Sequence, residues 1–370
     1  MTQQHITLTR EQADEFGREL DAIRDRVIAD LGQTDVDYIR RVIKTQRAME
    51  IGGRALLMAG IFPPAWLAGT ALLGISKILD NMEIGHNVMH GQYEWTGDPA
   101  LRGRTFEWDT ACPADQWRHS HNYSHHTFTN IVGMDRDIGY GILRMSPDQR
   151  WHPYYLGNPV YAFLLMVLFQ YGGVALHELE TERIRSGGEI SLDDKRDVLR
   201  EIWRKTRRQL LKDYVAFPLL AGPMAPFVFT GNMTANLMRN VWSYMIIFCG
   251  HFPDGTQEFT VEETRNESRG QWYFFRQVLG SANLTGGKLF HLLSGNLSHQ
   301  IEHHLFPPDV PARRYAEMAP HVREVCERYG IPYNSGGPLP KQFATVVRKI
   351  VKLALPTRQR REDEALVEAA

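Results

Sequence analysis

Three short histidine clusters, far apart in the chain, restrict the folds open to it more than any other feature. They are HNVMH at His86 to His90, HNYSHH at His121 to His126, and HQIEHH at His299 to His304. A lone histidine, His251 in CGHFPDG, is a fourth candidate. Of the 15 histidines in 370 residues, nine fall in these four places, which chance scatter does not give. In a helix, residues i and i+4 share a face. His86 with His90, His121 with His125, and His299 with His303 can therefore each aim two imidazoles at one point. His126 and His304 follow directly and swing about 100° around the helix, toward a second, neighbouring point. The clusters thus offer eight nitrogen ligands and His251 a ninth. A structural zinc takes four ligands, and a catalytic zinc three plus water. The larger set here suits two ions of five or six coordination with open positions, and imidazole fits iron, copper, zinc or nickel.

Composition narrows the setting. Net charge is −1, so no bulk electrostatic pull toward nucleic acid exists. The mean hydropathy of −0.35 alone would describe a soluble chain, but the apolar residues are strongly segregated. Cys112, Cys249 and Cys326 are far apart and form no CxxC pattern, which argues against disulfides, rubredoxin-type iron and iron–sulfur clusters. The N-terminal MTQQHITLTREQADEF lacks a basic segment followed by an apolar one, so no cleavable signal peptide is expected and the N-terminus is placed in the cytoplasm.

Residues 1–48 read as cytoplasmic amphipathic helices. Thr9 and Gln12 give a capping box, and Phe16, Leu20, Ile23 and Val27 one apolar face. A second helix, about 36–49, carries Arg40, Arg41, Lys44 and Arg47 just before an apolar stretch, where basic residues mark the cytoplasmic side. Residues 55–79 are almost wholly apolar and divided by Pro63 and Pro64, which reads as a helical hairpin over about 50–80. Residues 214–250 read as a second hairpin, turning at Gly231 and Asn232. Between them, 159–178 is apolar and of spanning length, but a dense basic block follows (Arg183, Arg185 and Lys195 to Lys212). That stretch is therefore expected to lie on the membrane surface. Two hairpins put both termini, all three clusters and His251 in one compartment. Asp135 and Asp137, in MDRDIGYG after the second cluster, could hold the outer nitrogens of ligand histidines. Trp108, Trp117, Tyr123 and Phe128 could pack around that cluster. Residues 312–329 read as an amphipathic helix ended by Gly330, and 356–370 as a charged tail.

The expected architecture is an all-α integral membrane protein: two transmembrane hairpins, four spans in all, and a cytoplasmic helical cap holding the metals, with residues 49–355 as the main domain. A metal site where helices leave the bilayer faces cytoplasmic reductants on one side and lipid chains on the other. Removing hydrogen from an unactivated methylene needs an oxidant that side chains cannot supply, whereas iron with O₂ can.

HNVMH, HNYSHH and HQIEHHLFP resemble the three histidine boxes of the membrane-bound fatty acid desaturases. The longer segments IGHNVMHGQYEW, HHTFTNIVGMDRDIGYG, GHFPDG and SGNLSHQIEHHLFP are similar to a bacterial branch of acyl-CoA desaturases that includes stearoyl-CoA delta-nine enzymes, over about residues 35–355. The resemblance implies a cell-membrane enzyme with two non-haem irons that inserts a cis double bond into a long acyl chain, CoA-linked and of stearoyl type. It implies His86, His90, His121, His125, His126, His299, His303 and His304 as iron ligands, with His251 the extra histidine between boxes two and three. Two departures stand out. Some animal members place an asparagine four residues before that histidine, where this chain has Ile247; Asn296 is a substitute. A variant of the family has glutamine leading box three, where His299 leads here. No HPGG haem motif is present, so electrons are expected from a separate ferredoxin or flavin reductase. The rival readings are a hydroxylase on the same scaffold and a histidine-rich membrane metal-binding or transport protein. Transport sites sit near the bilayer midplane, whereas these boxes lie outside the apolar stretches.

Overall fold

The computed structural model of the chain describes residues 8–180, 190–191, 193–265 and 274–357. Arg183, Arg185 and the tail from residue 358 lie outside the described residues. Helices account for the architecture, and among the described residues strand pairing is limited to two isolated bridges, Ile131 with Phe259 and Thr285 with Pro338.

Helix α1 (Arg10–Ala29) starts with the Thr9–Gln12 capping box. Its Phe16, Leu20, Ile23 and Val27 are buried in one apolar cluster with Ile301 and Leu305 of the third box segment. The N-terminal helix thus covers the back of a histidine box. Helix α2 (Gln33–Leu57) is a single 25-residue helix. It joins the basic segment and the first hairpin arm that the sequence pattern separates at about residue 50. Pro63 and Pro64 open α3 (Pro63–Leu79), where a missing N–H costs nothing. The two arms touch closely, since a Cβ on Gly53 would sit 2.9 Å from the carbonyl oxygen of Gly69.

Helix α4 (Asn158–Val167) and the turns after it form a pair, 153–167 and 170–179, bent by 96°. Helix α5 (Arg196–Leu211) runs through a π-turn at Lys212–Ala216 into Phe217–Leu220. The chain then turns at Gly222, φ 55°, and returns as the 27-residue α6 (Ala225–His251). The second hairpin therefore exists, but its tip is at 221–224 and not at Gly231–Asn232. The physical reason is packing. A Cβ on Gly231 would lie 2.4 Å from Leu57 Cδ2, and Asn232 Nδ2 donates to the Asp213 carbonyl. Both residues serve helix contact inside α6 and not a turn. Asp213 joins the hairpins by accepting from Lys77 Nζ at 2.8 Å and Arg54 at 3.3 Å.

Helix α7 (Tyr315–Arg328) ends before Gly330, φ 66°, as the pattern predicts. Helix α8 (Leu339–Ala354), which the sequence reading did not single out, adds Val346 and Ile350 to the core around Tyr244 and Phe248 of α6. Fully buried Arg144 secures its end, donating to the carbonyls of Pro147, Gln149, Leu353 and Leu355 and to Thr357 Oγ1. Among the described residues no single helix is long and apolar enough to cross a membrane, and the bent pair at 153–179 alone has the required length and composition.

Candidate metal centre

Each box sits where helix winding changes. The helix α3 continues into a π-helix, Asp80–His86, and a short α-turn, Asn87–Met89, that present His86 and His90. Box two lies on another π-helix, Arg118–His125, followed by His126–Phe128. Box three opens a short helix, Gln300–Leu305. His251 is the last residue of α6. π-Winding is rare and concentrates at functional sites.

These elements bring eight of the nine expected histidines together. Nitrogen atoms of His86, His90, His121 and His303 lie within 4.8 Å of one another, and so do those of His125, His251 and His304. His126, with His303 and His304, forms a third such set between them. The rule that an i,i+4 pair aims at one point holds for His86 and His90, whose Nε2 atoms are 3.3 Å apart. It fails for box two. The rings of His121 and His125 stack 5.1 Å apart at 24°, with both Nδ1 atoms toward Asp137 (3.6 and 3.7 Å). Stacked rings point their Nε2 atoms side by side, so the pair feeds two points.

His299 stands apart. It belongs to none of these sets, and its ring stacks on His291, centroids 4.7 Å apart. It is the N-cap of its helix, with φ −103° and ψ 59°. A residue outside helical geometry does not share the face of residue i+4. Gln300, the first helical residue, takes the place instead: its Nε2 lies 3.0 Å from His251 Nε2. Asn296 also differs from expectation, since its amide donates to Glu83 and not to a box histidine. Ile247 lines the site cavity and brings no polar group.

The outer nitrogens are held by polar groups. His125 Nδ1 is 3.0 Å from Asp135, as the sequence suggested. Asp137 also approaches His177 Nε2 at 3.1 Å. Sequence reasoning missed four partners: Asn87 on His86 Nδ1 at 3.0 Å, Gln277 on His304 Nδ1 at 3.0 Å, Tyr315 on His303 Nδ1 at 3.4 Å, and His177. Asn87 and Gln300 were visible inside the boxes. Nothing local marks Gln277 or Tyr315. Such partners fix the tautomer and aim of a ligating ring.

The donor set fits metal. Nε2 of His121, His125, His126 and His303 is buried without a hydrogen-bond partner, which is costly unless something is ligated there. Burial, with His121 beside it, lowers His86 to about 3, and burial holds His90, His126, His303 and His304 well below the ordinary histidine range. These rings are neutral, the ligating form. At His125 burial acts the same way, but Asp135 and Asp137 outweigh it and raise the group to about 9. Trp117 stacks on His121 at 4.5 Å and 20°. A cavity of about 60 Å³ opens beside the cluster, and its lining adds Tyr140, Phe169, Gly173 and Val174 as well as Asp137 and Glu178 to the histidines.

A profile of the fatty acid desaturase family matches residues 62–337. The chain is 47% identical over 360 residues to a NADPH-dependent stearoyl-CoA 9-desaturase of Mycobacterium tuberculosis, covering 96% of this chain and 83% of that protein. It is 26% identical to a sn-1 linoleoyl-lipid 6-desaturase of Synechocystis, over 90% of this chain and 93% of that one. It is 28% identical to an acyl-lipid (7-3)-desaturase of Rebecca salina, over 80% and 66% respectively. With histidines gathered at the positions the boxes predict and a family match over most of its length, this chain belongs to the fatty acid desaturase family.

Proposed function

We propose that the chain is an O₂-dependent acyl-CoA desaturase that inserts a cis double bond into a long saturated chain, at the ninth position of a stearoyl group. The observation that carries this reading is the meeting of buried, partnerless imidazole nitrogens with an apolar cavity wall. Identity of 47% to a stearoyl-CoA 9-desaturase supports the choice of substrate. The overall reaction takes a –CH₂–CH₂– unit, O₂, two electrons and two protons to –CH=CH– and two waters.

His86, His90, His121 and His303 would hold one ion, and His125, His251 and His304 the other, with His126 between them. Two iron ions bound there would supply O₂ activation and the power to take hydrogen from a methylene. The protein's share is placement. Asp135 anchors the Nδ1–H of His125 and so aims its Nε2 inward, where a bound ion would take the place of the Nε2 proton. Asn87, Gln277 and Tyr315 do the same for His86, His304 and His303. Phe169, Val174 and Tyr140 would give the carbons next to the cluster an apolar wall that excludes water from them.

The same reading places the α2–α3 hairpin and the second hairpin, about 214–250, in a membrane, with 159–178 along its surface and with the histidines, the basic helix α5 and both termini on the cytoplasmic side. Apolar side chains exposed toward the hairpin tips, including Ile61, Phe62, Leu219 and Leu220, support it. Electrons come from a separate donor. Gas chromatography of lipids from cells making the protein together with a reductase system tests the activity. A new C18 chain unsaturated at carbon nine is expected, and its absence rejects the reading. Thiol labelling of Phe62→Cys and Leu220→Cys in intact cells tests the topology. Labelling from outside supports full spans, and labelling from neither face rejects them.

A further inference from the structure

We propose that a basic cleft on α5 is the docking site of an acidic electron-carrier protein, and that Trp108 and Trp117 couple that cleft to the histidine cluster. The inference rests on the desaturase reading, which requires two electrons per double bond.

The cleft has a volume of about 440 Å³ and is lined by four basic residues, Arg204, Lys205, Arg207 and Arg208, and by Glu107, Trp108 and Asp109, the last paired with Lys212. Lys205 pairs with Glu107, and Arg204 with Glu201. Arg207 and Arg208 have no ion pair among the described residues, so their charge is free for a partner. The nearby Trp203 is 61% exposed, an aromatic anchor of the kind that centres protein interfaces.

What separates this patch from an ordinary solvated basic face is what lies beneath it. Trp108 lines the cleft, and Lys205 Nζ donates to its carbonyl at 3.3 Å. The Trp108 ring is 5.2 Å from that of Trp117, centroid to centroid. Trp117 in turn stacks on His121 at 4.5 Å and meets His86 at 5.4 Å and His90 at 5.5 Å. Two buried indoles therefore form a continuous ring path from the cleft to the His86, His90, His121 group. Electron tunnelling falls off steeply with distance through saturated or empty space, and closely packed rings shorten the effective gap. The exposed His119–Tyr123 pair shows the contrast, because its ring contacts reach Phe128 but no box histidine. Each one-electron transfer would oxidise the carrier by one unit and pass that electron to metal held by the histidines. Two such transfers match one O₂ and one double bond.

The test uses the full-length, iron-loaded protein and a plant-type [2Fe–2S] ferredoxin kept reduced by NADPH and its reductase. In the double variant Arg207→Glu with Arg208→Glu, ferredoxin-supported kcat/KM is expected to fall at least ~10-fold, through KM, with its salt dependence flattened. Binding of ferredoxin to the metal-free double variant falls in parallel, whereas a single turnover driven by dithionite is unchanged. Trp117→Leu is expected to slow reduction by ferredoxin with iron content retained, and Trp117→Phe to restore it. An unchanged ferredoxin-supported rate and binding in the double variant overturns the proposal. So does a wild type that turns over with dithionite but not with ferredoxin. Loss of binding to phosphatidylglycerol vesicles with an intact ferredoxin rate would overturn it in favour of a lipid contact. If dithionite gives no unsaturated product, the desaturase reading fails instead, and the metal-free binding measurement still decides the docking.

Discussion

His86 and His125 sit in the same buried cluster and have opposite electrostatic surroundings. The first faces the neutral amide of Asn87 and is lowered to about 3. The second is gripped by Asp135, with Asp137 close by, and is raised to about 9. The groups around them follow suit. His86, His90 and His303 are flanked by Asn87, Trp117 and Tyr315, all uncharged. His125 and His304 are backed by Asp135 and Gln277, with the Gln300 amide against His251. A carboxylate behind an imidazole raises its basicity as a ligand. The two metal positions are thus unlike in degree: His125 is held by Asp135 at 3.0 Å, whereas the first set meets a carboxylate through His121 alone, 3.6 Å from Asp137, and lies at the end of the indole path.

The variants that probe this asymmetry can be ranked. His303→Ala has the largest expected effect, because His303 belongs both to the His86, His90, His121 set and to the set with His126 and His304. Activity should fall by more than the ~10–100-fold typical of losing an outer partner, with iron lost from both positions by elemental analysis. Asp135→Asn should weaken iron binding within that ~10–100-fold range at one position only. Chelator titration would show one fast-releasing ion and one unaffected. Two equally weakened ions would mean that the positions are not distinct. Asn87→Ala should give the mirror pattern with a smaller effect, since a neutral amide is replaced and not a charge.

Acid provides a further separation. His86 binds its proton more weakly folded than unfolded, so the unfolded chain holds more protons between the unfolded histidine pKa, about 6.5, and the folded value of about 3. Stability of the metal-free protein should therefore drop as pH falls below about 6.5. His125 has the opposite sign: its contribution is present below the unfolded pKa and is lost as pH rises through about 9. Thermal unfolding of the metal-free wild type and of Asp135→Asn across pH 5 to 10 should show the alkaline loss in the first and not in the second. The smallest effect is expected for His299→Ala, which should leave iron content unchanged. A loss equal to that of His303→Ala would return His299 to the ligand set.

Much of the site was legible because histidine chemistry is local: eight of the nine candidate histidines do come together. The misreadings share a cause. Spacing rules assume regular α-geometry, and the boxes depart from it. His299 precedes its helix, and box two winds as a π-helix. At Gly231 and Asn232 the same residue types that make turns were used for close helix packing. Gln277 and Tyr315 reach their histidines from 27 and 12 residues away in the chain. No short pattern encodes such meetings.

Arg144 has a consequence for how the chain comes into being. Three of its five acceptors, Leu353 O, Leu355 O and Thr357 Oγ1, belong to the last residues described. During synthesis its guanidinium has no settled home until those residues emerge, some two hundred positions later. A ribosome-released fragment ending before residue 353 would carry a buried charge stripped of most of its partners, a defect worth several kcal/mol. The guanidinium therefore closes the core around α4, α6 and α8 only once residues 353–357 are in place.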